Sequence, residues 1–190
     1  METVYIHADE SCLGNQKQTQ SSPGGAGGLI EIWKDDDWER RDFWLSEPDT
    51  TNNRMALCSA IEPLSSLSRR CRIILTSDSQ YLVKGINEWR HSWKRSGWKR
   101  KAGEILNLDL WKQLDILVER HEVFARWVRG HDGHPENEYV DFLATTAAAD
   151  QSTSGGLTNS GFIEWLCEQR EMGKFLDYME FQRPETRFGA

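Results

Sequence analysis

Residues 72 to 78 read RIILTSD, an unbroken apolar run that ends in polar residues. A strand with one face in water alternates apolar and polar side chains, so a continuous run fits a strand covered on both faces, as parallel strands are. The neighbouring segments agree with a mixed sheet. TVYIHA (3–8), AGGLIEIW (26–33) and DFWLS (42–46) read as strands, the last two joined across KDDDWERR, and together they suit an antiparallel meander. Residues 53–69 carry Leu57, Cys58, Ile61 and Leu64 on one helical face, with Pro63 expected to kink the helix. After the buried strand come helical segments at SQYLVKGINEW (79–89) and NLDLWKQLDILVER (107–120), a fifth strand at EVFARWV (122–128) and a last helix at ENEYVDFLATTAAA (136–149). The predicted order is β-β-β-α-β-α-α-β-α, an α/β chain.

A length of 190 residues suits one domain, expected over 1–150, with an added tail. QSTSGGLTNSG (151–161) reads as a flexible linker. Beyond it, residues 162–190 place Phe162, Trp165, Leu166, Met172, Leu176 and Met179 near one helical face. Such a tail either packs on its own domain or docks on a protein partner or second subunit, while the core itself is expected to be monomeric. No apolar run reaches the roughly 18 residues of a spanning helix, and METVYIHADES lacks the apolar centre of a signal peptide. No membrane association and a cytoplasmic location are therefore expected. Cys12, Cys58, Cys71 and Cys167 form no C-x-x-C pair, so they read as buried thiols rather than zinc ligands or a disulfide framework.

The net charge is −7, but it is unevenly spread. WRHSWKRSGWKRK (89–101) holds Arg90, Lys94, Arg95, Lys99, Arg100 and Lys101 with no acid. This segment fits either a solvated basic helix with its tryptophans turned inward or a docking ridge for a polyanion, whose binding would be salt-dependent. Acids collect elsewhere. Asp9 ends the first strand, Asp78 follows the fourth, and Asp141 lies in the first turns of the last helix. Each alone has an ordinary reading as a turn former or helix N-terminal charge. If the first and fourth strands are neighbours, the three converge, and mutual repulsion then calls for hard cations such as Mg²⁺ or Mn²⁺.

DESCLGN, TTNNRM, SDSQYLVKGINEW, NLDLWKQLD and WVRGHDGHPENEYVDFLA, taken in order over residues 3 to 149, resemble the type 1 ribonuclease H family. The resemblance implies a ribonuclease H-like fold with a five-stranded mixed sheet in the order 3-2-1-4-5, and hydrolysis of the RNA strand of RNA–DNA hybrids. It implies two Mg²⁺ ions about 4 Å apart, with Mn²⁺ able to substitute, aligning a water and stabilising the leaving 3′ oxygen. Asp9, Asp78 and Asp141 match three of the family's four catalytic carboxylates, and His131 matches its mobile histidine. Cys12, Asn15, Asn52, Asn53 and Gln80 match residues that read the minor groove and the ribose 2′-hydroxyls. Thr51 and Asn107 match a phosphate pocket, and Trp89, Trp93 and Lys94 match the basic protrusion that cups the DNA strand.

The fourth carboxylate, a glutamate on the first helix, falls on Ala56. A methyl offers no oxygen and no charge, so the expectation is a chain with little cleavage. That describes either an introduced replacement in an endoribonuclease or a natural pseudo-nuclease that binds hybrid or a protein partner. Glu62 sits six residues on, about 240° around the helix, and cannot take the place. Glu10 adjoins Asp9, but neighbours along a strand face opposite ways, which counts against it as a surrogate ligand.

Overall fold

In the computed structural model, which describes residues 1–14, 22–100, 103–130 and 133–188, the N-terminal segment lies at the middle of the sheet. β1 (Thr3–Cys12) pairs antiparallel with β2 (Ser22–Lys34) and parallel with β4 (Arg72–Ser77). β2 continues into β3 (Asp37–Thr50), and β4 pairs parallel with β5 (Glu122–Trp127). Val4, Ile6 and Ala8 of β1 and Ile73 and Leu75 of β4 are fully buried. The run at 72–77 is thus a central parallel strand, as its lack of alternation implies.

The sheet has six strands rather than the expected five. β6 (Thr158–Asn159) pairs with β3 through Asp42↔Thr158 and Arg41↔Asn159, giving the order β5-β4-β1-β2-β3-β6. The extra strand comes from the segment expected to be a flexible linker. Ser154 also exchanges hydrogen bonds with the backbone of Trp44 at 2.9 and 3.1 Å. The exposed edge of a long strand offers free backbone groups, and a polar, glycine-containing segment can satisfy them.

One face of the sheet carries α1 (Asn52–Ser66), a helix running from Gln80 to Arg95, and α4 (Leu108–Arg120). The 80–95 helix consists of α2 (Gln80–Lys84), a π-turn at Gly85–Trp89 and α3 (Arg90–Arg95). Pro63 lies inside α1, which nonetheless continues to Ser66. The other face carries α5 (Pro135–Asp150), seated on β2. Gly25 and Gly27 make that seat possible. A Cβ on Gly25 would lie 2.1 Å from the Ala144 carbonyl oxygen, and one on Gly27 2.7 Å from the Ala144 nitrogen. Alternate residues of a strand share a face, so GGAGG gives α5 a bare backbone to lie on.

The tail joins this layer. α6 (Phe162–Glu171) buries Phe162 and Leu166 against Leu29, Tyr139 and Val140, and α7 (Pro184–Phe188) returns to the sheet. Met172, Leu176 and Met179, expected on the same apolar face, are exposed, because α6 stops at Glu171. Cys71 is buried and Cys12 and Cys58 are half-buried, whereas Cys167 is exposed on α6, contrary to the buried-thiol expectation. No helix among the described residues is long and apolar enough to cross a membrane.

Candidate active site

β4 stops pairing with β1 at His7↔Thr76, while β2 accompanies β1 as far as Cys12↔Gly24. Beyond His7, one edge of β1 is therefore open, and the chain leaving β4 turns into that opening with Asp78 and Ser79. The turn is held firmly. The Ser79 N–H donates to Ser77 Oγ at 3.1 Å, the Val128 N–H to the Ser77 carbonyl at 3.1 Å, and Trp127 Nε1 to the Asp78 carbonyl at 2.9 Å. A Cβ on Gly130 would stand 2.3 Å from Asp78 Oδ2, so the loop after β5 passes directly over this carboxylate.

Three carboxylates meet there: oxygens of Asp9, Glu10 and Asp78 all lie within 4.8 Å of one another. Asp9 is 5% exposed, and its Oδ1 accepts from the Glu10 N–H at 2.7 Å. Burial, reinforced by Asp78 and Glu10, pushes Asp9 up to about 9. Burial and Asp78 likewise push Glu10 up to about 8, against a hydrogen bond from Ser79 that lowers it. Oxygen-only donors packed this closely fit a hard divalent cation, whose charge would relieve the repulsion that otherwise favours protonation.

The expectation that Glu10 points away from Asp9 is overturned. Alternation fixes Cβ directions, not the ends of side chains. Where β4 no longer covers the strand edge, the longer glutamate side chain reaches the same region of space as its neighbour. Asp141, on α5, is close enough for its charge to raise Asp9 but lies outside the tight trio, with Thr145 Oγ1 donating to its Oδ1 at 3.5 Å. Ala56 is fully buried and belongs to the main hydrophobic core, so its methyl packs there.

This arrangement predicts a pH effect of definite sign. Both raised carboxyls keep protons in the folded chain that the unfolded chain releases near pH 4, so without cation their contribution to stability is lost as pH rises from about 4 towards 8 to 9. In chelator the melting temperature should fall over this window more steeply than with millimolar Mg²⁺. A gap of at least about 1 kcal/mol, or about 2–4 °C, is expected at pH 8.5 and little at pH 5. Parallel curves with and without Mg²⁺ would contradict it.

The positions expected to contact substrate fall at the ends of elements. Cys12 ends β1; Thr51 is the N-cap of α1, accepting from the Arg54 N–H at 3.4 Å; Asn52 and Asn53 open that helix; and Gln80 opens α2. Asn107 adopts a left-handed conformation (φ 57°) at the N-cap of α4. Its Nδ2 is 3.4 Å from the Tyr81 hydroxyl, which also accepts from Trp111 Nε1 at 2.8 Å. Trp89 and Trp93 join Tyr81 and Trp111 in an aromatic network, edge-to-face except for the tilted Trp89–Trp93 pair. A cavity of 360 Å³ opens beside them, lined by Tyr81, Trp89, Trp93, Arg100, Ile105 and Leu106.

Two of the expected ridge cations are engaged inside the chain. Arg90 pairs with Asp115 at 2.8 Å, and Lys94 pairs with Asp115 at 3.0 Å and with Glu119. Lys94 is thus tied to α4 rather than held out as a free cation. Asn15 and His131 lie outside the described residues.

The ribonuclease H family profile matches residues 1–149. A Ribonuclease H of Stutzerimonas stutzeri (strain A1501) is 49% identical over 142 residues, which cover 74% of this chain and 88% of that relative. The chain belongs to the ribonuclease H family. A Ribonuclease HI of Neisseria meningitidis is 47% identical over 152 residues, 80% of this chain and 99% of the relative. Among solved structures, that of LC9-RNase H1, described as a type 1 RNase H with the type 2 active-site motif, superposes with a TM-score of 0.87. It is 44% identical, covering 98% of this chain and 90% of that one. A foamy viral protease-reverse transcriptase in complex with RNA/DNA hybrid shares the fold at a TM-score of 0.63 and 14% identity, covering 78% of this chain and 20% of that one. This chain is accordingly a ribonuclease H enzyme whose substrate is an RNA–DNA hybrid.

Asp9 and Asp78, expected together from their positions at strand ends, do meet, while Asp141, expected from its place on the last helix, stands outside the trio. Alternation along the strand counted against Glu10. The usable signal was chemical: a second acid beside a site acid, in the same chain that lacks the helix glutamate.

Proposed function

We propose that this ribonuclease H cuts the RNA strand of hybrids in its present form, with Glu10 supplying the carboxylate that Ala56 does not. The carrying observation is the convergence of Asp9, Glu10 and Asp78 oxygens within 4.8 Å. Support also comes from LC9-RNase H1, whose description pairs a type 1 framework with another active-site motif. A type 1 framework can therefore house its acids in a different arrangement.

In this reading Asp9, Glu10 and Asp78 hold Mg²⁺ or Mn²⁺, and Asp141 completes the acidic wall. The chemistry such ions supply when bound is activation of water and neutralisation of charge at the scissile phosphodiester. The rest falls to binding and orientation. Asn52, Asn53, Gln80 and Cys12 meet the minor groove, where 2′-hydroxyls distinguish the RNA strand. Thr51 and Asn107 grip a DNA-strand phosphate, and Trp89 and Trp93 guide that strand past the aromatic cavity. His131 takes the role of proton transfer or product departure.

A labelled RNA–DNA hybrid incubated with the unaltered chain and Mg²⁺ tests the reading, with Ala56→Glu beside it. Cleavage by the unaltered chain is expected, stopped by chelator. Binding without cleavage by the unaltered chain, together with cleavage by Ala56→Glu, would restore the disabled-enzyme reading.

A further inference from the structure

α5 delivers Asp141 to the site, and after Pro135 its first turn is polar, with Glu136, Asn137 and Glu138 in succession. His134, Pro135, Glu136 and Asn137 border a cavity of 380 Å³ that also reaches β4, β5 and the tail. The N-cap, His134, makes no side-chain capping bond. What grips this turn comes from the C-terminal extension. Glu136, 6% exposed, accepts from the Tyr178 hydroxyl and from Arg187, whose Nε lies 3.0 Å away. The same guanidinium reaches fully buried Glu31 on β2 at 2.7 and 3.0 Å. It stands 4.7 Å from the Trp38 ring centre and 4.8 Å from that of Phe188, which stacks on Tyr5 at 4.4 Å. One turn further, the Tyr139 hydroxyl donates to Asp42 at 2.5 Å, and the same carboxylate accepts from the Gly161 N–H at 2.9 Å.

At about 100° per residue, Asp141 projects about 140° from Glu136 and about 160° from Tyr139. The tail therefore holds the face of α5 turned away from Asp141. We propose that Arg187 is a positioning residue for the active site, fixing the first turns of α5 and through them the placement of Asp141 against Asp9, Glu10 and Asp78. This rests on the reading of that trio as the catalytic metal site.

The test compares the full-length chain with Arg187→Ala and Arg187→Lys, each well below its own melting temperature. Four quantities are measured: amide hydrogen exchange over residues 136–143, Mn²⁺ affinity by calorimetry, hybrid affinity in chelator, and kcat with Mg²⁺ at saturating hybrid. Arg187→Ala should speed exchange in 136–143 by about tenfold more than in β1 and β4, and lower both Mn²⁺ affinity and kcat by about tenfold. Hybrid affinity should stay within about twofold, because Arg187 does not face the substrate. Lysine, which keeps the charge and loses the fork, should fall between. Unchanged Mn²⁺ affinity and kcat in Arg187→Ala would overturn the proposal, as would a fall in kcat with no change of exchange in α5. Should Arg187→Ala fail to fold, Tyr178→Phe removes one hydroxyl from the same carboxylate and should show the same pattern at about threefold. If the unaltered chain does not cut hybrid, the functional reading fails by itself, and exchange and Mn²⁺ affinity still decide the role of Arg187.

Discussion

Glu10→Gln is expected to lower hybrid cleavage by about a thousandfold, about 4 kcal/mol of transition-state stabilisation, while leaving hybrid binding intact. Glutamine keeps the length of the side chain and its reach into the open edge of β1. It removes the negative charge and one oxygen from a trio packed within 4.8 Å. The site then keeps Asp9 and Asp78, with Asp141 further out, and cation affinity should fall with the charge. Binding in chelator should hold or strengthen slightly, since an acid beside the phosphates has gone. Single-turnover cleavage of a labelled hybrid, with anisotropy for binding, separates the two. Adding Ala56→Glu to Glu10→Gln should recover part of the rate, because it returns a carboxylate to the first helix. Wild-type cleavage by Glu10→Gln would leave Glu10 without a catalytic part.

Removing residues 162–190 should have the largest effect on stability. Glu31 is fully buried and relies on Arg40 at 2.8 Å and on Arg187; Glu136 relies on Arg187 and Tyr178. Burial alone would raise Glu136, but Arg187, His7 and Tyr178 outweigh it and hold it down at about 2. Taking one partner from such a cluster costs about 3–5 kcal/mol, and losing the buried Phe162 and Leu166 adds about 1.5–3 kcal/mol each before chain entropy is counted. The sum rivals the whole stability of a typical domain, about 5–15 kcal/mol. A chain ending at Gly161 should unfold well below the full chain in urea or heat, or fail to fold. The dependence here arises from the two buried acids, Glu31 and Glu136. A truncated chain melting within a few degrees of the full one would show that they are satisfied some other way.

Much of the architecture is legible in the sequence. The continuous run at 72–77, the alternation at 3–8 and the helical periodicity at 107–120 each bury the residues that their patterns imply. Those patterns are local, set by one strand or one helix face. What escaped was long-range. Nothing in QSTSGGLTNSG says that Thr158 and Asn159 will pair with β3, because a two-residue strand has no periodicity to read. Arg187 carries no local signal of its role, since its partners lie 51 and 156 residues away. At the site, Asp9 and Asp78 were readable from strand ends, whereas Glu10 was lost by applying an alternation rule beyond the point where β4 stops. The pairing of Lys94, expected on the basic ridge, with Asp115 and Glu119 was not legible because those acids sit on another helix.

The Glu31–Arg187 pair also bears on how the chain matures during synthesis. Glu31 belongs to the second strand to leave the ribosome; Arg40 follows nine residues later, but the second guanidinium partner, Arg187, only after 156. At about 5–20 residues per second, roughly 8–30 s separate Glu31 from Arg187. Throughout that interval the nascent sheet carries a carboxylate that cannot yet be sealed in the interior with its full complement of charge. The first strands can be expected to pair early and stay loosely closed on the α5 side. Final consolidation of that side is then expected to follow the synthesis of α7.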